Sequence, residues 1–299
     1  VLSRFSPEKV LKSNQATDAV GSFKLRNVLV IFQFSASIAL IIATSVVFFQ
    51  LQYARKHDPG FNPENLLVVH NINNPEVSGH KNTLQEELLK LPGITNAALS
   101  SMQPTGLGSD SQTVFRPKNS SSQQDQELFS YTIMRVGHNF FNTYQIPLLS
   151  GRYFSRDMDK EEPASSVYWA PDVNYEHLKD SRIIINAAAA RQLGYTSADE
   201  AVGEIVVEGE QGKPGYEEYL IIGVVEDYQY KNLRLKPIPE GYRLIPDATN
   251  FLTVRYKGDY QKVVKEVERV WHEVVGDIPF GYNNVNQNLA ATFAQEETE

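Results

Sequence analysis

The stretch NVLVIFQFSASIALIIATSVVFFQL, residues 27–51, decides what kind of protein this is. From Asn27 to Phe49 it holds no charge, proline or glycine. As a helix at 1.5 Å per residue it reaches about 34 Å, enough to cross a hydrocarbon layer of roughly 30 Å. Its Val, Leu, Ile and Phe residues supply roughly −4 to −8 kcal/mol of insertion free energy in all. Gln33, Ser35, Ser37, Thr44 and Ser45 subtract little, because hydroxyls bond back to carbonyls of their own helix. A core helix of a soluble domain shows a polar face, and this stretch is apolar on nearly every side. A signal peptide is shorter and ends in small residues, whereas this run continues into QLQYARK at 50–56. The stretch is therefore expected to span a membrane.

Charge sets the orientation. Residues 1–26 carry Arg4, Lys9, Lys12, Lys24 and Arg26 against Glu8 and Asp18, a net of +3, leaving −11 for the rest of a chain whose total is −8. Basic residues stay in the cytoplasm, so the bulk of the 299 residues is expected outside it. The acidic balance argues against nucleic acid as a partner, since phosphate neutralisation needs a basic face. The chain has no cysteine, which removes disulfides, zinc–thiolate sites and thiol catalysis.

Beyond the span, His57-Asp58-Pro59-Gly60 stops the helix. Residues 66–70 read as a strand. Residues 80–91 read as a helix with Leu84, Leu88 and Leu91 on one face, and 94–100 as a second strand. The same pattern recurs near the other end. Residues 251–256 alternate as a strand, Asp259 is placed to cap a helix, and apolar residues from Tyr260 to Val275 keep the 3,4 spacing. Gly276 and Pro279 end that helix, and 280–285 read as a closing strand. Two β-α-β halves are thus separated by a long insertion. Within the insertion, 109–126 is Ser/Gln-rich and reads as an exposed loop or loose hairpin. Asn186 is placed to cap a helix over 187–193, and Ser197 with Glu200 has capping-box spacing. Residues 204–208 and 218–225 read as strands joined by a Gly/Pro turn.

Four blocks carry a family resemblance. RNVLVIFQF at 26–34 leads through the span to GFNPENLLVV at 60–69. NFFNTYQIPLLSGR follows at 139–152, then INAAAARQLG at 185–194 with AVG at 201–203. The last is IIGVVEDY at 221–228, with Leu233 and Pro237 after it. In this order they resemble the FtsX-like (MacB-type) permease subunits of bacterial ABC transporters. The resemblance implies an α+β chain: one N-terminal transmembrane helix, then a periplasmic domain with a split β-α-β porter-like subdomain and an inserted, strand-rich sabre-like subdomain. Mapped onto this chain, it gives a cytoplasmic segment at 1–24 and the membrane helix with its extension at 25–57. The porter-like first half falls at 58–101, the sabre-like insertion at 102–215 and the porter-like second half at 216–288. A connector toward a next membrane helix then occupies 289–299. The opening LSRFSPEKVLK at 2–12 is similar to the cytoplasmic segment before the second membrane domain of longer members, so the chain is expected to be a piece of a longer permease.

Chemistry is sparse. No G-x-x-x-x-G-K-[ST] loop is present to cradle a nucleotide, and the six histidines at 57, 70, 80, 138, 177 and 272 form no H-E-x-x-H pair. There is no G-x-S-x-G elbow, and Asp157–Glu162 lacks calcium-loop spacing. No cofactor and no catalytic or metal-binding residue is expected. Pro7, Val10 and Leu11 are the candidate coupling segment. Gln33, Ser37 and Thr44 either contact neighbouring membrane helices or bond only within their own helix. Tyr168, Trp169 and Tyr175 either face a partner or fill the insertion's own small core. The resemblance implies a separate cytoplasmic ATPase subunit, membrane lipid, a second permease half or homodimer, and a periplasmic partner. The expected function is a non-catalytic inner-membrane subunit that couples ATP hydrolysis to motion of the outer domain, for export (efflux) or mechanotransmission. A membrane-anchored ligand-binding or sensor domain is the alternative.

Overall fold

In the computed structural model the described residues are 18–56, 60–103, 111–118, 130–162, 181–209, 216–228 and 236–285. The chain divides into two compact units, residues 1–57 and 58–299.

The described residues of the first unit form the helix α1 (Asp18–Lys56, 39 residues). Its Arg26–Phe49 stretch is long and apolar enough to cross a membrane, and none of it is buried. Phe32 is 72% exposed and Leu40 71%. A core helix would have its apolar side chains covered by its own domain. These are uncovered on every side, as lipid requires. The backbone groups of such a helix are satisfied internally, so it can lie in hydrocarbon.

The described residues of the second unit form a mixed α/β structure on a 12-stranded sheet. Its first elements are β1 (Leu66–Val69), the short α2 (Pro75–Ser78), α3 (Lys81–Leu89) and β2 (Ile94–Ser100). Its last are β11 (Phe251–Tyr256), α7 (Tyr260–Val275) and β12 (Tyr282–Asn284). These two β-α-β runs sit together, with antiparallel strands in the order β12-β1-β11-β2. Numbered within the pair of runs this is 4-1-3-2, the split βαβ arrangement. Between them lie β3 (Ser111–Thr113), β4 (Phe115–Pro117), β5 (Tyr131–Val136), α4 (Phe140–Tyr144) and β6 (Leu148–Gly151). Then follow β7 (Ser181–Asn186), α5 (Ala187–Gln192), α6 (Ala198–Ala201), β8 (Ile205–Glu208), β9 (Glu217–Val225) and β10 (Glu240–Leu244).

The sheet continues from β2 through β5-β10-β7-β9-β8-β4, with β3 beside β5 and β6 beside β9. The seam is thin, because β2 and β5 share a single register pair, Ser100 opposite Val136. Strand pairing draws the internal boundary differently from chain order. Of residues 216–288, β9 and β10 pair with β7, β8 and β5, while β11 and β12 pair with β1 and β2. Within the Ser/Gln-rich 109–126 stretch, the described residues 111–118 differ from an exposed loop or a hairpin closed on itself. They form β3 and β4, which pair not with each other but with β5 and β8. Ladder partners already in place draw even polar residues into a sheet.

Local signals place the elements. The Asn186 side chain accepts from Ala189 N, capping α5, and also accepts from Glu240 N at 3.0 Å, while its amide donates to Ile238 O. One buried side chain thus starts a helix and sets β10 beside β7. The Asp259 side chain accepts from Lys262 N at 3.0 Å and caps α7. That helix buries Val263, Val264, Val267, Val270 and Trp271 against β1, β2, β11 and α3. Asp259→Ala removes one cap and no core contact. It is expected to cost about 1 kcal/mol, measured as the shift of the urea midpoint for the detergent-solubilised protein.

Candidate functional site

Gln33, Ser37 and Thr44 all lie on α1. The Ser37 hydroxyl donates to Gln33 O at 2.9 Å and the Thr44 hydroxyl to Leu40 O at 2.8 Å, so both are satisfied within the helix. Pro7, Val10 and Leu11, and likewise Tyr168, Trp169 and Tyr175, lie outside the described residues. Among the described residues no three His, Asp or Glu side chains are placed to hold a metal ion.

The described residues do converge at one place that sequence reading left unmarked, where the segment after α1 enters the sheet. Gly60 has φ +78°, and a Cβ there would stand 2.3 Å from Asp227 O. Only glycine permits both that conformation and that approach. Phe61 follows, 4% exposed, edge-on to Tyr144 and Tyr228 at ring distances of 6.2 and 5.9 Å. Asn62 N donates to Tyr144 O at 2.9 Å, and its side-chain amide to Gln145 Oε1 at 2.8 Å. The Asn62 Oδ1 accepts from Glu64 N, closing a local turn.

Arg255 closes this anchor. Its Nε donates to Thr143 O at 2.6 Å, Nη1 to Glu64 O at 2.7 Å and Nη2 to Asn62 O at 2.6 Å. The planar guanidinium thus joins three carbonyls from two segments, which the single ammonium of a lysine does not span. The side chain comes from β11, whose Leu252, Val254 and Tyr256 face α3 and α7. Thr253 and Arg255 alternate to the opposite side, where the Tyr144 hydroxyl donates to Thr253 Oγ1 at 2.7 Å. Burial lowers the Arg255 pKa from its ordinary value, opposed by Tyr144 and Glu64. Burial also pushes the Tyr144 hydroxyl up to about 12, so it remains a neutral donor.

All four blocks quoted from the sequence contribute. Gly60 to Asn65 comes from the first and Thr143 to Gln145 from the second. Asp227 and Tyr228 come from the fourth. Asp227 also reaches the third, accepting from Ala188 N and from the Arg191 guanidinium, each at 2.7 Å. Arg255 was outside every block. Its one signal was a cation near the end of the strand FLTVRY, on the same face as Thr253.

No family model matches the chain, and no curated protein matches it. Solved structures do. The periplasmic region of MacB from Actinobacillus actinomycetemcomitans aligns with a TM-score of 0.48 and 13% identity, over 80% of this chain and 96% of that one. The extracellular domain of the noncanonic ABC-type transporter YknZ from Gram-positive bacteria aligns with a TM-score of 0.44 and 14% identity, over 74% of this chain and 100% of that one. The likeness is to MacB-type extracytoplasmic domains.

Proposed function

We propose that the chain is a non-catalytic permease subunit of an ABC transporter, seated in the inner membrane by α1, with residues 58–299 outside the cytoplasm. Its task is to carry movement between the span and the outer unit. One observation carries this reading: the first described residues of the outer unit, from 60 on, are fastened to the sheet by Arg255, Phe61 and Gly60. A tether that serves only to hold a domain near a membrane needs no such fastening, and a flexible linker dissipates displacement. The ordered sequence blocks support the permease class, and the same class supports an ATPase on a separate cytoplasmic subunit acting through Pro7, Val10 and Leu11. Within the outer unit, β1 to β2 and β11 to β12 would form the porter-like part. Residues 102–244 would form the inserted part, so that β9 and β10 belong with the insertion. The inserted part is where a periplasmic partner would meet Tyr168, Trp169 and Tyr175.

The protein isolated from its own membranes in mild detergent is expected to bring a cytoplasmic ATPase with it. Deletion of residues 1–20 is expected to release that ATPase while the circular dichroism of the sheet unit stays unchanged. Recovery of a cytoplasmic signalling enzyme in its place, or an ATPase that stays bound and coupled after the deletion, would reject the permease reading.

A further inference from the structure

Strands β8, β9 and β10, with the segment 152–162, bring four charged side chains together. Glu208 and Glu217 are direct cross-strand partners in the β8–β9 ladder. Like charges placed opposite one another repel. Glu162 arrives from the strap 152–162, whose end is fixed to β10 by Glu162 N donating to Leu244 O at 2.8 Å. Against these three carboxylates the described residues set one cation, Arg243 of β10. Arg243 holds Glu162 Oε2 from Nε at 2.9 Å and from Nη2 at 2.5 Å. It reaches Glu217 Oε2 at 3.3 Å and Glu208 Oε2 only at 4.0 Å. Its guanidinium lies over the Tyr219 ring at 4.8 Å, and the Tyr219 hydroxyl donates to Glu217. The Thr113 hydroxyl of β3 donates to Glu208.

The other described charges on the neighbouring strands and strap are engaged with other partners. Glu218 points to the other face, paired with Lys118 at 2.6 Å. Arg116 of β4 donates to Gly209 O. Arg182 of β7 and Arg152 both go to Asp159, which fixes the other end of the strap and also accepts from Ser155 N. Asp159 is thereby held below its ordinary value despite burial. Glu217 is 8% exposed, Glu162 likewise 8%, so solvent does little to screen the excess of negative charge.

We propose that Glu217 is a proton-operated clasp: with its carboxyl protonated it joins β8, β9, β10 and the strap, and with its carboxylate free of the proton it loosens β8 and the strap from that junction. The geometry is three carboxylates about one guanidinium, which a single shared proton relieves. Burial first, and then Glu208 and Glu162, raise the Glu217 pKa to about 7, with Arg243 opposing. An unfolded glutamate ionises near its ordinary value of about 4.3. Between that value and about 7 the folded chain keeps a proton that the unfolded chain has lost. Stability therefore falls as pH rises through this window, and the clasp tightens on acidification.

Hydrogen–deuterium exchange of the full chain in detergent tests this, comparing wild type with Glu217→Gln at equal pH so that intrinsic exchange chemistry cancels. At about pH 8, peptides covering 205–208 and 155–162 are expected to exchange roughly tenfold faster in wild type than in the variant. At about pH 5.5 the two should match. A ratio that is the same at both pH values, including a ratio of one, overturns the clasp. Should Glu217→Gln not fold, Glu208→Gln decides. Removing the opposed carboxylate is expected to move the wild-type exchange transition to lower pH, and an unmoved or raised transition overturns the proposal.

Discussion

Arg255→Met is expected to lower the stability of the sheet unit by about 3–5 kcal/mol. Methionine retains the apolar stem that packs along β11 but donates nothing. Three charge-assisted hydrogen bonds disappear, to Thr143 O, Glu64 O and Asn62 O. Bonds to charged groups contribute roughly 1.5–3 kcal/mol each, and a carbonyl left buried without a donor adds a cost of its own. Water admitted beside Glu64 returns part of the loss, which brings the sum down to the stated range. Arg255→Lys is expected to recover less than half of it, since one ammonium cannot lie in line with all three carbonyls. The measurement is urea unfolding of the detergent-solubilised protein, followed by the fluorescence of its two tryptophans. A loss below about 1 kcal/mol would mean that the entry segment stands without its guanidinium. The rigid entry on which the proposed coupling depends would go with it.

The β-α-β halves were legible because each is a local pattern. The 3,4 spacing of α7, the Asp259 cap and the alternation of β11 all sit within one element. The order of strands was not, because it is a property of pairings between residues far apart in the chain. Nothing in residues 217–225 or 240–244 announces that they will pair with β7 and β5 rather than with the strands that follow them. Arg255 was hidden by a rule that usually holds. In an alternating strand the polar face is expected to meet water, so Thr253 and Arg255 in FLTVRY read as a solvated side. In the fold that side is buried, Thr253 at 0% and Arg255 at 6% exposure, because α4 and the entry segment cover it. The acid cluster escaped notice for a related reason. Glu162, Glu208, Glu217 and Arg243 come from four segments and show no spacing that a sequence motif records. Only the ladder register that sets Glu208 against Glu217 makes it a cluster.

Gly60→Ala should damage the same anchor by a different route. The positive φ alone costs an L-residue about 1–2 kcal/mol. The new Cβ also meets Asp227 O at 2.3 Å, with Tyr228 Cα at 2.8 Å, and both are backbone atoms that no rotamer change can move aside. Either the entry segment withdraws from β9's end or Asp227 shifts and loosens its hold on Ala188 N and Arg191. The combined loss is expected to be about 2–4 kcal/mol by the same urea assay. The two substitutions then test each other. Gly60 sets where the segment enters, and Arg255 grips the carbonyls two and four residues further on, so each interaction presupposes the other. Once Gly60→Ala has displaced Asn62 and Glu64, Arg255 has less left to lose. The double variant should therefore cost at least about 1 kcal/mol less than the sum of the single ones. Costs that add to within about 0.5 kcal/mol would describe two independent contacts. Coupled costs would describe one joint, in which residues 60–64 and β11 hold each other in place.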